Sequence, residues 1–253
     1  MNYNNIIDLV KNTKSIVNSE DLRMQVELKG ESDSVTAVDL EISRFLKEKL
    51  HELNPNVGFF SEEEKGVLSD PCWILDPIDG TTNLIFGYKM SSVSLGLYSE
   101  GKIIFGVVYN PFTEECFTAE RGKGAYINGK LLCVSKRNIN ESIIEFGAGS
   151  TRKKDADRNF ELAKEIFKHC VDIRRICSSA LDLCFIADGR IDGYFEKVLK
   201  PWDIAAGSLI LEGAGGKITD YSGNPIKFDK PTSIIASNSF THDYLVKTIK
   251  NYL

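Results

Sequence analysis

The sequence predicts an α/β (α+β) protein in which mixed sheets pack between helices, and three observations predict it. The first fifty residues carry apolar side chains at helical spacing. Residues 57–127 are a succession of short apolar runs broken by turn residues. From about residue 141, short apolar runs alternate with longer helical stretches.

At the start, Ile6, Ile7, Leu9, Val10, Ile16 and Val17 fall near helical spacing, and residues 29–34 are polar around Gly30 and read as a loop. A second helix is expected over 38–53, with Leu40, Ile42, Phe45, Leu46 and Leu50 on its apolar side and Asn54-Pro55 as its stop. Strands are expected at 57–60 and 72–75, then a hairpin of 90–98 and 102–109 about Ser99-Glu100-Gly101, then strands at 115–119 and 125–127, together an antiparallel meander. In the second half, strands at 143–146, 171–176, 191–195, 217–219 and 233–236 alternate with helices at 155–169, 179–187, 204–212 and 241–252. Phe160, Leu162, Ala163, Ile166 and Phe167 form the expected buried stripe of the first of these helices. The change of pattern predicts two parts, 1–140 and 141–253.

Composition narrows the function. The chain has 253 residues, 42% hydrophobic and 26% charged, with a net charge of −5. A mildly acidic chain advertises neither a nucleic-acid nor a membrane surface. The N-terminus lacks the basic start and apolar run of a signal peptide, and no apolar stretch is long enough to span a bilayer, so the cytoplasm is the expected compartment. The six cysteines include no CxxC pair, which argues against zinc and for buried structural thiols.

The informative segment is Trp73-Ile74-Leu75-Asp76-Pro77-Ile78-Asp79-Gly80-Thr81-Thr82-Asn83. An apolar strand ends at Asp76, and a turn can bring Asp79 to the same point. Two close carboxylates repel one another unless a cation stands between them, and oxygen ligands select a hard ion, magnesium before zinc. Pro77 leaves the Ile78 carbonyl in an irregular turn, available as a further oxygen ligand. Gly80, Thr81 and Thr82 then offer amides and hydroxyls at a helix start, a place suited to phosphate. An Asp-rich turn followed by a capped helix has the same spacing. Ser61-Glu62-Glu63-Glu64 hangs acids from the end of a strand, Glu64 reading as solvated. Asp203, in Pro201-Trp202-Asp203-Ile204-Ala205-Ala206-Gly207, reads by itself at least as well as a helix cap.

These segments resemble the inositol monophosphatase family, within the larger group of metal-dependent, lithium-sensitive sugar phosphatases. The likeness runs from about Val35 to near the C-terminus, and its two signatures, Asp76–Asn83 and Trp202–Gly207, stand in order about 120 residues apart. The resemblance implies a layered α-β-α-β-α sandwich, magnesium-dependent hydrolysis of small polyol or sugar phosphates (inositol monophosphate foremost), and two or three Mg2+ ions. It implies Glu62, Asp76 and the Ile78 carbonyl as ligands of a first metal, and Asp76, Asp79 and Asp203 as ligands of a second. Glu62 and Thr81 would orient the attacking water. Asp39, in Val35-Thr36-Ala37-Val38-Asp39, would support the cluster from behind, with Glu63 in a supporting role. Asp79, Gly80, Thr81, Thr82, Ser178, Ser179 and Glu196 would meet the substrate, Glu196 accepting from two neighbouring hydroxyls of a polyol. Most ligands then fall in the first part, and the substrate pocket and last ligand in the second. A homodimer is expected, as is common in such families. Cys177, where many relatives have glycine, Ser179 and Lys200 depart from the usual pattern and bear on substrate choice. Other activities open on the same scaffold are a fructose-1,6-bisphosphatase and a nucleotide 3'-phosphatase. From another class, some bacterial relatives are regulatory proteins that bind RNA polymerase.

Overall fold

The computed structural model describes residues 2–30, 33–64, 66–148 and 153–252, with the backbone only for 28–30 and 33–34. The chain opens with three short helices, α1 (Tyr3–Asn12), α2 (Lys14–Val17) and α3 (Glu20–Arg23), where one was expected. The Thr13 hydroxyl donates to the Val10 carbonyl (2.6 Å) at the break, and Ile6, Val10 and Val17 still reach the core. A two-stranded hairpin, β1 (Val26–Gly30) and β2 (Asp33–Thr36), takes in part of the stretch expected to be loop. Residues 31 and 32 of that stretch lie outside the described residues. In α4 (Ala37–Leu53), Val38, Ile42, Leu46 and Leu50 form the buried ladder. Leu40 was expected on this side and is 48% exposed, because it points about 200° away from Ile42 around the helix.

The first sheet has seven strands in chain order: β3 (Gly58–Ser61), β4 (Cys72–Asp79), β5 (Ser92–Ser99), β6 (Lys102–Asn110), β7 (Glu115–Glu120), β8 (Ala125–Ile127) and β9 (Lys130–Leu131). A short helix, α5 (Thr81–Ile85), follows β4. The meander is antiparallel except at its start. There β3 runs parallel to β4, with Ser61 opposite Leu75, because residues 62–71 carry the chain back to the same end of the sheet.

The second sheet has the order β11-β10-β12-β14-β13. Its elements are β10 (Ile143–Phe146), α6 (Ala156–Phe167), β11 (Asp172–Arg174), α7 (Ser179–Ala187), β12 (Gly193–Leu199), α8 (Pro201–Gly213), β13 (Lys217–Thr219), β14 (Thr232–Ser237) and α9 (His242–Lys250). β10 pairs in parallel with β11 and β12, and β14 lies antiparallel to β12 and β13. In α6 the buried stripe is Asn159, Leu162, Ala163 and Ile166. Phe160 and Phe167 lie outside it, 51% and 49% exposed, at the margin of the packed face.

Contacts between elements give five layers. Helices α1 and α4 cover one face of the seven-stranded sheet, α7 and α8 fill the space between the sheets, and α6 and α9 cover the outer face of the second sheet. The sequence accounts for the middle layer. α7 is buried along its whole length and α8 along nearly all of it, as helices apolar on every side must be. α8 lies directly on the β5–β6 hairpin. A Cβ at Gly106 would stand 2.9 Å from the Ala206 carbonyl oxygen, and one at Gly96 3.1 Å from the Ala205 Cβ, so glycine here permits the approach. All six cysteines are free thiols, and Cys133 and Cys177 are exposed, which corrects the expectation of uniformly buried ones. Among the described residues no helix is long and apolar enough to cross a membrane.

Candidate active site

Parallel pairing of β3 with β4 is the first device that builds the site. It sets the turn carrying Glu62 beside the middle of β4, next to Asp76, and the Glu62 amide donates to the Leu75 carbonyl (3.3 Å). Asp76 follows Leu75 on β4, is 2% exposed, and its Oδ1 is buried without a hydrogen-bond partner. Burial first, and then the charges of Glu62, Asp79, Asp203 and Asp39, push its pKa well above the usual carboxylate range.

Asp79 ends the strand under the N-terminus of α7. Its Oδ2 accepts from the Ser178 hydroxyl (2.6 Å) and the Ala180 amide (2.8 Å), and its Oδ1 from the Ser179 amide (3.2 Å). These bonds favour the ionised form, yet burial raises its pKa to about 6. Asp203 is not the N-cap of α8 but lies one turn in, accepting from the Lys200 amide (2.6 Å). Burial, then Asp79, with Glu62 and Glu196 adding, push its pKa well up. One function does not exclude the other, since a single oxygen takes the backbone bond.

Asp39 reaches the site from α4. Its Oδ2 accepts from the Thr36 amide (2.8 Å) and hydroxyl (2.5 Å), closing the helix N-terminus, while its Oδ1 lies 3.2 Å from the Thr81 hydroxyl. Burial raises its pKa to about 6 against these bonds, and nearby Glu63 adds to the rise. Thr81 Oγ1 also lies 3.1 Å from the Ile78 carbonyl oxygen, so its rotor is fixed between the two. Gly80, with φ +91°, turns the chain from β4 into α5. A side chain there would be strained and would press on the Met90 and Cys177 carbonyls. Thr82 is exposed on the first turn of α5.

Glu64 is drawn away from this cluster by an ion pair with Lys47 (2.6 Å). Lys200 is exposed, and none of the three histidines joins the group: His51 and His169 are exposed, and His242 is buried between Ser237 and Thr219. Two further residues escaped the sequence reading. Asn83 ties α5 to the segment before β5 and the segment before α7 through the Met90 and Ile176 carbonyls (2.7 Å each). Tyr194 donates to Glu196 Oε2 (2.5 Å). It stands two residues before Glu196 on a strand, on the same face, a period-two signal that was available.

Five carboxylates therefore share one neighbourhood in which the other four oppose the ionisation of Asp76, and Asp76 also carries an orphaned buried oxygen. A hard divalent cation removes both costs, so the residues fit one. Among the described residues no three His, Cys, Asp or Glu side chains already close on one ion. A bound ion would have to draw these carboxylates closer together, with water and phosphate oxygens completing its shell.

The model of the inositol monophosphatase family matches residues 4–253. The Nus factor SuhB of Pasteurella multocida is 39% identical over 204 residues, 79% of this chain and 76% of that protein. The inositol-1-monophosphatase of Mesorhizobium japonicum is 36% identical over 234 residues, 91% of this chain and 88% of its own. The solved structure of an IMPase/NADP phosphatase complexed with Mg2+ and phosphate superposes with a TM-score of 0.87 at 27% identity, covering 97% of this chain and 93% of that one. With this fold, these carboxylates and a match over almost its entire length, the chain belongs to the inositol monophosphatase family and is a phosphoric monoester hydrolase.

Proposed function

We propose that the chain hydrolyses small phosphate monoesters of polyols, inositol monophosphate foremost, with magnesium. The observation that carries the reading is Asp76, a buried carboxylate with an unpartnered oxygen, ringed by Glu62, Asp79, Asp203 and Asp39. Two or three ions would be held by Glu62, Asp76 and the Ile78 carbonyl on one side, and by Asp76, Asp79 and Asp203 on the other. Bound there, magnesium supplies the positive charge that offsets the phosphate and acidifies water.

The chain's own residues do the rest. Glu62 and the Thr81 hydroxyl, the latter steadied by Asp39 and the Ile78 carbonyl, orient the attacking water in line with the ester oxygen. Amides of Gly80 and Thr81 donate to phosphate oxygens. Ser178 and Ser179 hold Asp79, and Glu196 accepts hydrogen bonds from adjacent hydroxyls of the alcohol. No side-chain nucleophile is called for, which agrees with histidines remote from the cluster.

The test is phosphate release from inositol 1-phosphate, fructose 1,6-bisphosphate and 3'-phosphoadenosine 5'-phosphate, with magnesium and with chelator. Inositol 1-phosphate should be cleaved fastest, only with the metal, and lithium should inhibit. Magnesium-independent release, or none with any of the three, would overturn the reading. The relative named Nus factor SuhB keeps a second reading in view, a regulatory protein that binds the transcription machinery. A protein that only binds has no use for an acidic cluster of this cost, so hydrolysis stands first. Capture of RNA polymerase from lysate, assayed in parallel, tests the other. A homodimer is part of the proposal, and light scattering that returned the mass of a single chain would remove it.

A further inference from the structure

The polyol pocket contains a hydrogen-bonded line that the reaction does not require. Ser179 Oγ lies 3.0 Å from Tyr194 Oη, and Tyr194 Oη donates to Glu196 Oε2 at 2.5 Å. A phenol has one proton. Because that proton goes to the carboxylate, Ser179 must donate to Tyr194, and the direction of the line is fixed. Tyr194 is 1% exposed and Ser179 is buried, so neither can exchange its partner for bulk water. Burial, with Glu196 and Asp182 near, raises the Tyr194 pKa well above its usual value and keeps the phenol neutral.

The same oxygen of Glu196 is also hemmed in at Gly147. A Cβ at Gly147 would stand 1.8 Å from Glu196 Oε2 and 2.0 Å from its Cδ, so the carboxylate rests where any other residue at 147 would put its side chain. The Gly147 amide is fixed in turn by the Phe195 carbonyl (2.9 Å), one residue before Glu196. Meanwhile the Ser179 amide donates to Asp79 Oδ1 (3.2 Å). One residue thus serves the acidic cluster with its amide and the polyol carboxylate with its hydroxyl.

We propose that Tyr194 is a positioning residue of the polyol pocket: with Ser179 behind it and Gly147 leaving room beside the same oxygen, it fixes the Glu196 carboxylate and sets the preference for esters whose alcohol bears a neighbouring hydroxyl. The inference rests on the role given above to Glu196. A carboxylate free to rotate would lose orientational entropy on each binding event, while one already held meets the substrate hydroxyls at no such cost. An ester with no second hydroxyl gains nothing from the arrangement.

The test compares inositol 1-phosphate with p-nitrophenyl phosphate in the magnesium-loaded enzyme. Tyr194→Phe should lower the ratio of their kcat/KM values about tenfold, the scale of one charge-assisted hydrogen bond, through the KM of inositol 1-phosphate. Gly147→Ala retains every donor and should lower the same ratio by displacing Glu196. Ser179→Ala should lower it and Ser179→Thr, which keeps a hydroxyl, should restore it. An unaltered ratio in Tyr194→Phe, or a joint fall of kcat on both substrates, overturns the proposal. Glu196→Gln separates the two levels. If it lowers the ratio and Tyr194→Phe does not, the pocket stands and the positioning role is wrong; if it leaves the ratio unmoved, both fall. Should circular dichroism show Tyr194→Phe unfolded, Gly147→Ala and Ser179→Ala decide.

Discussion

Replacing Asp76 by asparagine should stop turnover and at the same time make the metal-free protein more stable. Asp76 Oδ1 is buried without a partner, and four other carboxylates act on the group. An acceptor in that condition costs about 1–3 kcal/mol, and more when it is charged. Asparagine keeps the shape, removes the charge and offers an N–H2 to the acids around it. For a chain of this length about 1 kcal/mol moves the melting temperature by about 2–4 °C, so in chelator the variant should melt about 5 °C above wild type. Magnesium should reverse the order. At a hundred times its dissociation constant an ion adds about 2.7 kcal/mol to wild type, and the variant, lacking the carboxylate shared by both sets of ligands, should gain little. Thermal melts with and without magnesium read both effects, and phosphate release reads the third. A variant that melts below wild type in chelator, or stays active and magnesium-dependent, would refute the reasoning about Asp76.

The pH dependence of the metal-free protein follows from the same cluster. Asp39 and Asp79 have folded-state pKa values raised to about 6 from 3.8. Each ionised group then costs the fold about 3 kcal/mol above pH 6, and this penalty lifts as pH falls from 6 towards 3.8. His242, lowered to about 4 by burial, works in the opposite sense between pH 6.5 and 4, one group against two, with Asp76 and Asp203 on the acids' side. In chelator the melting temperature should therefore be higher at pH 5.5 than at 7.5, and in magnesium lower; the same order in both would count against a cation at this site. Thr81→Ala should lower kcat about a hundredfold on inositol 1-phosphate and p-nitrophenyl phosphate alike, and a loss confined to one substrate would contradict its place beside the attacking water. Cys177, which has φ +63°, sits in backbone that suits glycine. Cys177→Gly removes the Arg175 Nη2 contact with the thiol (3.6 Å) but should still raise stability by about 1 kcal/mol, seen as a higher melting temperature, and a lower one would show that this contact outweighs the strain.

The layers were legible because each follows from a local pattern. The all-round apolar composition of α7 and α8 demands burial on both faces, and the ladder Val38, Ile42, Leu46 and Leu50 demands a sheet beneath it. What the pattern hid was direction. Residues 57–60 and 72–75 read as neighbouring strands, but nothing in them says parallel, and an antiparallel pair would have left Glu62 at the far end of the sheet from Asp76. Leu40, Phe160 and Phe167 were misplaced for a related reason: apolar character was counted without its angle around the helix. Tyr194 was passed over because an aromatic residue in an apolar strand reads as core, which it is; its hydroxyl, and not its ring, carries the interest.

Where the acids come from explains why the cluster can exist at all. Glu62 follows β3 and Asp76 lies on β4 of the first sheet, Asp39 belongs to the helix on its outer face, and Asp203 to the middle layer; Asp79 is fixed by the first residues of α7. No one element holds more than two of them, so most of the repulsion is absent while the chain is unfolded. The cost arises only when the layers close, and helix N-termini, backbone amides and hydroxyls from α7 and from Thr36 offset part of it at Asp79 and Asp39. Asp76 receives no such bond at Oδ1. Its stabilisation must come from outside the chain, and a cation that supplies it would tie the first sheet to the middle layer, the two layers that contribute its ligands, with Asp39 of the outer helix behind them. Binding and folding are then linked, so magnesium should slow unfolding as well as permit hydrolysis. Denaturant unfolding rates measured across a magnesium titration should fall with the metal in wild type and stay level in Asp76→Asn, and equal slowing in both would mean that the ion stabilises the chain from somewhere other than this cluster.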